Sequence, residues 1–359
     1  VKVLWIEADQ PQEINTSIFR ARIPAFRLKE AGHECALSHF NHLQNIPRVY
    51  RDAQLYQDNY VTHEALKWAD VVVIERLITK EIHTTIKWLR SIGKQVWATF
   101  DDAYHLMPVG GSHSTWRGGD KALQGRGDIL GEFRQGLSLC TGVIVPSKVL
   151  VADYKQYNPN THFIPNYLLG KNWENPLPKN PDNLVIGWGG SSAHNVSFSD
   201  SGIIPALAKL CAKYPKLYVH IQSRDPRILS QFDKVGVRYK AFDWVKYEEW
   251  CRIVGGFDVG VAMLSGAYDK RRSALKVQEY AMAGVPWVAT DDAPYQIGCK
   301  GGILIPNKQD AWFKTIEKLL LDATLYNRLE KEGKAWATEF NNRCVPDYER
   351  VFGISQKGT

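Results

Sequence analysis

The sequence predicts an α/β protein made of two open, doubly wound parallel-sheet domains. Three observations lead there. Short β-branched runs alternate with helical patterns along the chain, the pattern of strand–helix–strand units around a parallel sheet. The series runs once, stops at an Asn- and Pro-rich stretch without periodicity, NYLLGKNWENPLPKNPDN (166–183), and then begins again. With 359 residues the chain has the length of two domains rather than one.

In the first series, strands are expected at VKVLWI (1–6), HECALSHF (33–40), VVVIE (71–75), QVWATF (95–100), VIVPS (143–147) and HFIPN (162–166). Helices fit between them. One runs from Pro24 to Ala31, with proline at its start and Gly32 as its stop. Another runs from Glu81 to Ile92 before Gly93, and a third from Asp128 to Leu139. Residues 166–183 read as a linker. The second series has strands at LVIGWGG (184–190), LYVHIQS (217–223), VRYKAFD (237–243), DVGVAML (258–264), PWVAT (286–290) and GILIP (302–306). Its helices lie near 203–212, 247–254 and 273–283, with two longer ones near 311–321 and 325–340. Ligands of such sheets bind beyond the carboxyl ends of the strands, so two of them facing each other make a cleft.

Composition narrows the partners. Apolar residues make up 44% of the chain, with 12 Trp and 13 Phe, enough for sizeable cores. No run approaches the roughly 18 apolar residues of a membrane span, and no basic-then-apolar stretch opens the chain. A soluble, unexported, cytoplasmic protein without membrane insertion is expected. The six cysteines are scattered, without a C-x-x-C pair or a zinc-like spacing, which fits reduced thiols. The net charge of +7 favours anionic partners, but the excess is spread out, unlike the stripe of a dedicated nucleic-acid binder.

Four segments have the residues for chemistry. The first is DKRRSALKVQEYAMAGVPWVATDD (269–292). Three consecutive bases precede a helix for which Ser273 reads as the N-cap and Gly284 as the stop. Bases are unwelcome at a helix N-terminus unless an anion sits there too. Arg271, Arg272, Lys276 and the first-turn amides suit a phosphate or diphosphate, and Glu279, a turn further in, suits a pair of sugar hydroxyls. The alternative is an exposed capped helix with a Lys–Glu pair. The second is IGWGGSSAH (186–194), where Gly189, Gly190 and Ser191 let backbone approach a ligand, or simply turn a strand into a helix. It matches neither G-x-G-x-x-G nor the P-loop pattern. In the third, WATFDDAYHLMP (97–108), Asp101, Asp102 and His105 follow a strand and read as acid–base groups, a cation site or a turn. The fourth, GGSHSTWRGGDKALQGRGD (110–128), is a long polar loop. Its Trp116, Arg117 and Arg126 can stack on and pair with a sugar, a base or a phosphate backbone, or the loop is merely flexible.

Together the segments resemble the GT-B nucleotide-sugar glycosyltransferases, two Rossmann-like domains facing a cleft, and most of all glycosyltransferase family 4 with its bacterial and phage relatives. RSALKVQEYAMAGVPWVAT looks like that family's donor helix and following strand. RIPAFRLKEAGHE, ADVVVIER, GKQVWATFDDAYHLMP and GVIVPSKVL…FIPN resemble its N-terminal landmarks in the same order. The resemblance implies an acceptor domain at 1–168, a donor domain at 169–338 and a closing helical segment at 339–359 that crosses back to the first domain.

It also implies roles. Ser273 and Lys276 hold the donor diphosphate, Glu279 holds ribose or sugar hydroxyls, and Gly189, Gly190 and Ser191 pass close to the donor. Two departures stand out. Arg271 replaces a glutamate common in the family, and Ser191, Ser192 and His194 stand where an Arg/Lys pair is usual. The diphosphate then depends on Arg272, Lys276 and Arg224. Asp101, Asp102, His105 and Arg76 fall on the acceptor side with Trp116, Arg117 and Arg126. The implied reaction is retaining sugar transfer from a nucleoside diphosphate sugar, a UDP-sugar by default, with no metal and no other cofactor. The acceptor is a glycan of a bacterial or phage-infected cell. The alternatives are transfer to a hydroxymethylated base in DNA, which requires flipping it from the stack, and epimerisation of a sugar nucleotide.

Overall fold

The computed structural model of the chain describes residues 1–8, 16–39, 63–76, 78, 80–106 and 128–354. Its strands form two six-stranded sheets. The first contains β1 (Lys2–Glu7), β2 (Glu34–His39), β3 (Val71–Glu75), β4 (Gln95–Thr99), β5 (Gly142–Val145) and β6 (Thr161–Phe163) in the order β2-β1-β3-β4-β5-β6. The second contains β7 (Leu184–Gly189), β8 (Leu217–Gln222), β9 (Tyr239–Ala241), β10 (Val259–Ala262), β11 (Trp287–Thr290) and β12 (Gly302–Ile305) in the order β12-β11-β10-β7-β8-β9. Every neighbouring pair is parallel. Each predicted strand is present, though only the middle of VRYKAFD pairs.

The strand sequences follow from this arrangement. A parallel strand covered on both faces reads as an unbroken apolar run, and all five residues of β3, Val-Val-Val-Ile-Glu, are buried. In each sheet the strand order reverses once. β1 lies between β2 and β3, and β7 lies between β8 and β10. The carboxyl ends of β1 and β3, and of β7 and β10, are therefore where each sheet offers a crevice.

The described residues up to Tyr167, together with Asn342 onward, form one compact unit, and Leu168–Asn341 form the other. The last helix, Cys344–Phe352, thus belongs to the first unit. Tyr348 packs edge-on to Trp5 at 5.3 Å between ring centres, Phe352 lies 5.8 Å from Trp97, and the Tyr167 hydroxyl donates to Asp347. The segment read as a linker is more than that. Tyr167, Leu168 and Trp173 are buried, and Trp173 meets Tyr247 edge-on.

Another difference lies before the Ile23–Glu30 helix, which is entered through a wider turn, Ile18–Arg22, with π-type bonding. That turn presents Arg20 to the interior. The fully buried guanidinium donates to Thr99 Oγ1, the carbonyls of Ile144 and Ile164, and Asn166 Oδ1, tying together the carboxyl ends of β4, β5 and β6. Among the described residues no helix is long and apolar enough to cross a membrane.

Candidate functional site

In the second unit the first residues past β7 meet the segment 269–279. Lys276 Nζ donates to the Gly189 carbonyl and lies 5.1 Å from the centre of the Trp188 ring. Arg272 Nη2 donates to the Ala193 carbonyl at 3.2 Å, and its Nε pairs with Asp269 at 2.7 Å. Asp269, almost wholly buried, also accepts from Ser197 Oγ and the Ser265 amide. A glycine turn and a cationic segment, far apart in sequence, are thereby laced together at the switch point of the sheet.

Both glycines are required by the protein itself. A Cβ on Gly189 would run into the Trp250 ring. One on Gly190 would stand 2.7 Å from Trp188 and 3.0 Å from Lys276 Nζ. Trp250 also donates to Glu279, which is 5% exposed. Burial pushes the Glu279 carboxyl up, against the pull of Lys276 and of this indole, and burial drives Lys276 down, against the pull of Glu279. Burial thus works against the charged form of both groups, and an anion held beside Lys276 favours its charged form.

The helix itself runs from Leu275 to Ala283 and stops at Gly284, in the left-handed conformation with φ 72°. Its N-cap is Ala274, not Ser273 as the sequence suggests. The amides of Arg271 and Arg272 bond back to Tyr268 and Asp269, so the preceding turn holds the chain and helical bonding starts later. Ser273 Oγ accepts instead from the Leu275 amide at 3.4 Å, a local turn contact. Arg271 bonds back to the Ala267 carbonyl. Arg224 forms an exposed ion pair with Asp243 at 2.8 Å. Ser191 is partly buried in the turn after Gly190. A separate cavity of about 480 Å³ runs beside β8 and β9, lined by residues such as Tyr218, His220, Gln222 and Phe242, and shares no lining residue with this cluster.

In the first unit, charged groups collect at the carboxyl ends of β1, β3 and β4. Glu7 closes β1 and pairs with Arg22 at 2.5 Å. Glu75 closes β3 and accepts from the Ala8 amide, Thr16 Oγ1 and Ser17 Oγ. Arg76, next along, is held at φ 56°, a left-handed conformation that costs a non-glycine residue about 1 kcal/mol or more and clusters at functional sites. Asp101, just past β4, has a buried Oδ1 without a partner among the described residues. Burial, reinforced by Asp102, pushes its carboxyl up to about 8, against Arg76 and Arg20. His105 is occupied on both sides, with Nδ1 on the Tyr154 hydroxyl at 3.0 Å and Nε2 3.4 Å from Asp153. Trp116, Arg117 and Arg126 lie outside the described residues. Among the described residues no group of three or more His, Cys, Asp or Glu side chains is placed to hold a metal ion.

Sequence reasoning gave no role to Trp250 or Asp269, and noted His194 only as standing where an Arg/Lys pair is usual. Their signal was positional only. Asp269 opens the basic segment and His194 ends the glycine turn, but neither has a motif of its own.

No family profile matches the sequence, and no curated protein does. Solved structures do match the whole chain. HepE from Anabaena, in complex with UDP and glucose, is 13% identical over 98% of this chain and 99% of its own, with a TM-score of 0.61. Sucrose-phosphate synthase from Thermosynechococcus elongatus is 16% identical over 99% and 100%, at 0.62. A putative UDP-N-acetylglucosamine 2-epimerase from Listeria monocytogenes is 11% identical over 99% and 98%, at 0.56. The chain has a GT-B fold. Within this GT-B chain, the two charged clusters both lie where their sheets reverse order.

Proposed function

We propose that the protein is a glycosyltransferase that moves a sugar from a nucleoside diphosphate sugar, by default a UDP-sugar, to an acceptor hydroxyl, with retention and without a metal ion. The observation that carries this is the meeting of Gly189, Gly190, Arg272, Lys276 and Glu279 at the switch point of the second sheet. Cleaving the bond between the anomeric carbon and the diphosphate builds negative charge on the leaving oxygen. Lys276, Arg272 and the amides at the start of the Leu275–Ala283 helix are fixed positive groups that stabilise it, an effect worth several kcal/mol in a water-poor site. These cations do the work that a divalent ion would do. Glu279 receives ribose or sugar hydroxyls, the leaving phosphate takes the acceptor proton, and Asp101 and Asp102 orient the acceptor. The likeness to HepE, which was solved with UDP and glucose, supports the choice of donor class.

A panel of UDP-, GDP- and TDP-sugars, read by nucleotide release with and without glycan acceptors, tests the proposal. With the donor found, Lys276→Ala and Glu279→Ala are each expected to lower turnover about 100-fold or more with the fold intact. Near-normal turnover in both would refute the site assignment. A second reading, sugar-nucleotide epimerisation, draws on the likeness to the Listeria protein. It predicts a changed sugar on an intact nucleotide, with no acceptor needed.

A further inference from the structure

His194 ends the short turn Ser192–His194 that follows the glycines, and it is 6% exposed. Its ring stands edge-on to Trp188, with centres 5.6 Å apart. Its Nδ1 is buried and has no hydrogen-bond partner among the described residues, and neither does Trp188 Nε1. A buried imidazole nitrogen left unpaired costs about as much as a lost hydrogen bond and calls for an explanation. No described residue supplies that partner. The charged groups bearing on the ring are Arg272 and Lys276, both of which only donate. Arg272 is already anchored to the adjacent Ala193 carbonyl and Lys276 to the Gly189 carbonyl, so both cations and the imidazole belong to one laced turn.

A group of acceptor oxygens with negative charge satisfies all of them at once. We infer that His194 is a direct ligand of the donor, its Nδ1–H donating to a phosphate oxygen of the diphosphate held by Arg272 and Lys276. This rests on the donor-site reading above and adds a residue to it. Burial and the two cations favour the neutral ring. It therefore adds a hydrogen bond to the phosphate without adding a third charge that would have to be kept apart from the other two. Trp188 stands edge-on to the ring, and the space denied to a Cβ at Gly190 is the space that Trp188 and Lys276 occupy.

Calorimetric titration with UDP, inorganic pyrophosphate and orthophosphate tests this. The first two carry the diphosphate, and the third reveals a site for any phosphate. His194→Phe keeps an aromatic edge against Trp188 and removes Nδ1, and it is expected to weaken UDP and pyrophosphate binding roughly 10-fold or more. His194→Asn loses the ring but places an amide near the position of Nδ1, and it is expected to stay within about threefold of wild type. A structural role for the ring predicts the opposite order. If the Phe variant fails to fold, His194→Gln, which moves the polar atom away from the Nδ1 position, takes its place with the same expected loss. Wild-type protein that binds UDP or pyrophosphate and is indifferent to these changes leaves the donor site standing and overturns the role of His194. Binding of orthophosphate alone, or of no probe at all, overturns both.

Discussion

Lys276 works under a constraint that a surface lysine does not meet. It must be charged to hold a diphosphate, yet burial beside Trp188 and Gly189 favours its neutral form. Donor affinity is therefore expected to fall with rising pH at a value below the ordinary lysine pKa of about 10.4. Lys276→Arg, charged throughout, should move or abolish that alkaline limb in UDP titrations between about pH 7 and 10. An unchanged limb would assign it to another group. Asp101 makes a complementary prediction. Its folded pKa of about 8 lies above the unfolded value near 3.9, so the folded chain binds more protons between those limits. The stability this provides is full below about pH 4 and is lost as pH rises through about 8. Asp101→Asn should hold its melting temperature between about pH 5 and 8 while that of wild type declines, and parallel curves would remove the buried carboxyl from the account. The two residues also show how much of the site is legible in the sequence. Lys276 and Glu279 stand out through their spacing on one helix. His194 does not, because what singles it out is an unpaired buried nitrogen, and pairing is settled by partners nearly 80 residues away.

Tyr280 helps to fasten the Leu275–Ala283 helix to its sheet. The Tyr280 hydroxyl donates to the carbonyls of Val261 and Gly187, at 3.0 and 3.3 Å, and its ring lies flush against Gly260 in β10. A Cβ at Gly260 would come within 2.5 Å of that ring. Gly260→Ala is expected to cost about 1–3 kcal/mol by overpacking, read by denaturant unfolding, and to weaken UDP binding although it touches no ligand. Unaltered binding would separate the helix position from the site. Elements of this kind were readable. Strands buried on both faces keep an unbroken apolar run, and Gly284 marks the helix end by its φ of 72°. The helices missed had weaker cues that compete with strand patterns. Lys148–Tyr154 is capped by Ser147, which reads as the tail of VIVPS, and Pro226–Asp233 is opened by Asp225, whose carboxylate accepts from the Arg227 amide. The Ala274 cap was not legible at all, because a preceding turn built on Asp269 decides it.

At the scale of the molecule, the two units differ in how the chain builds them. Leu168–Asn341 is continuous, whereas the other unit needs Asn342 onward to complete it. Trp5 and Trp97 are almost entirely buried, and the rings that reach them from Cys344–Phe352 are Tyr348 and Phe352. Tyr348→Ala should cost about 3–5 kcal/mol and lower one calorimetric transition while the other, that of the continuous unit, stays in place. A uniform shift of both would show that the units melt as one. The same connectivity bears on synthesis. Domains that emerge first from the ribosome ordinarily fold first. Here the opposite order is expected, because the early half lacks the rings that cover Trp5 and Trp97 until Cys344–Phe352 has been translated, while the strands of the later half come from one continuous stretch. Nascent chains released before that helix emerges are therefore the form of this protein most exposed to chaperones and proteases.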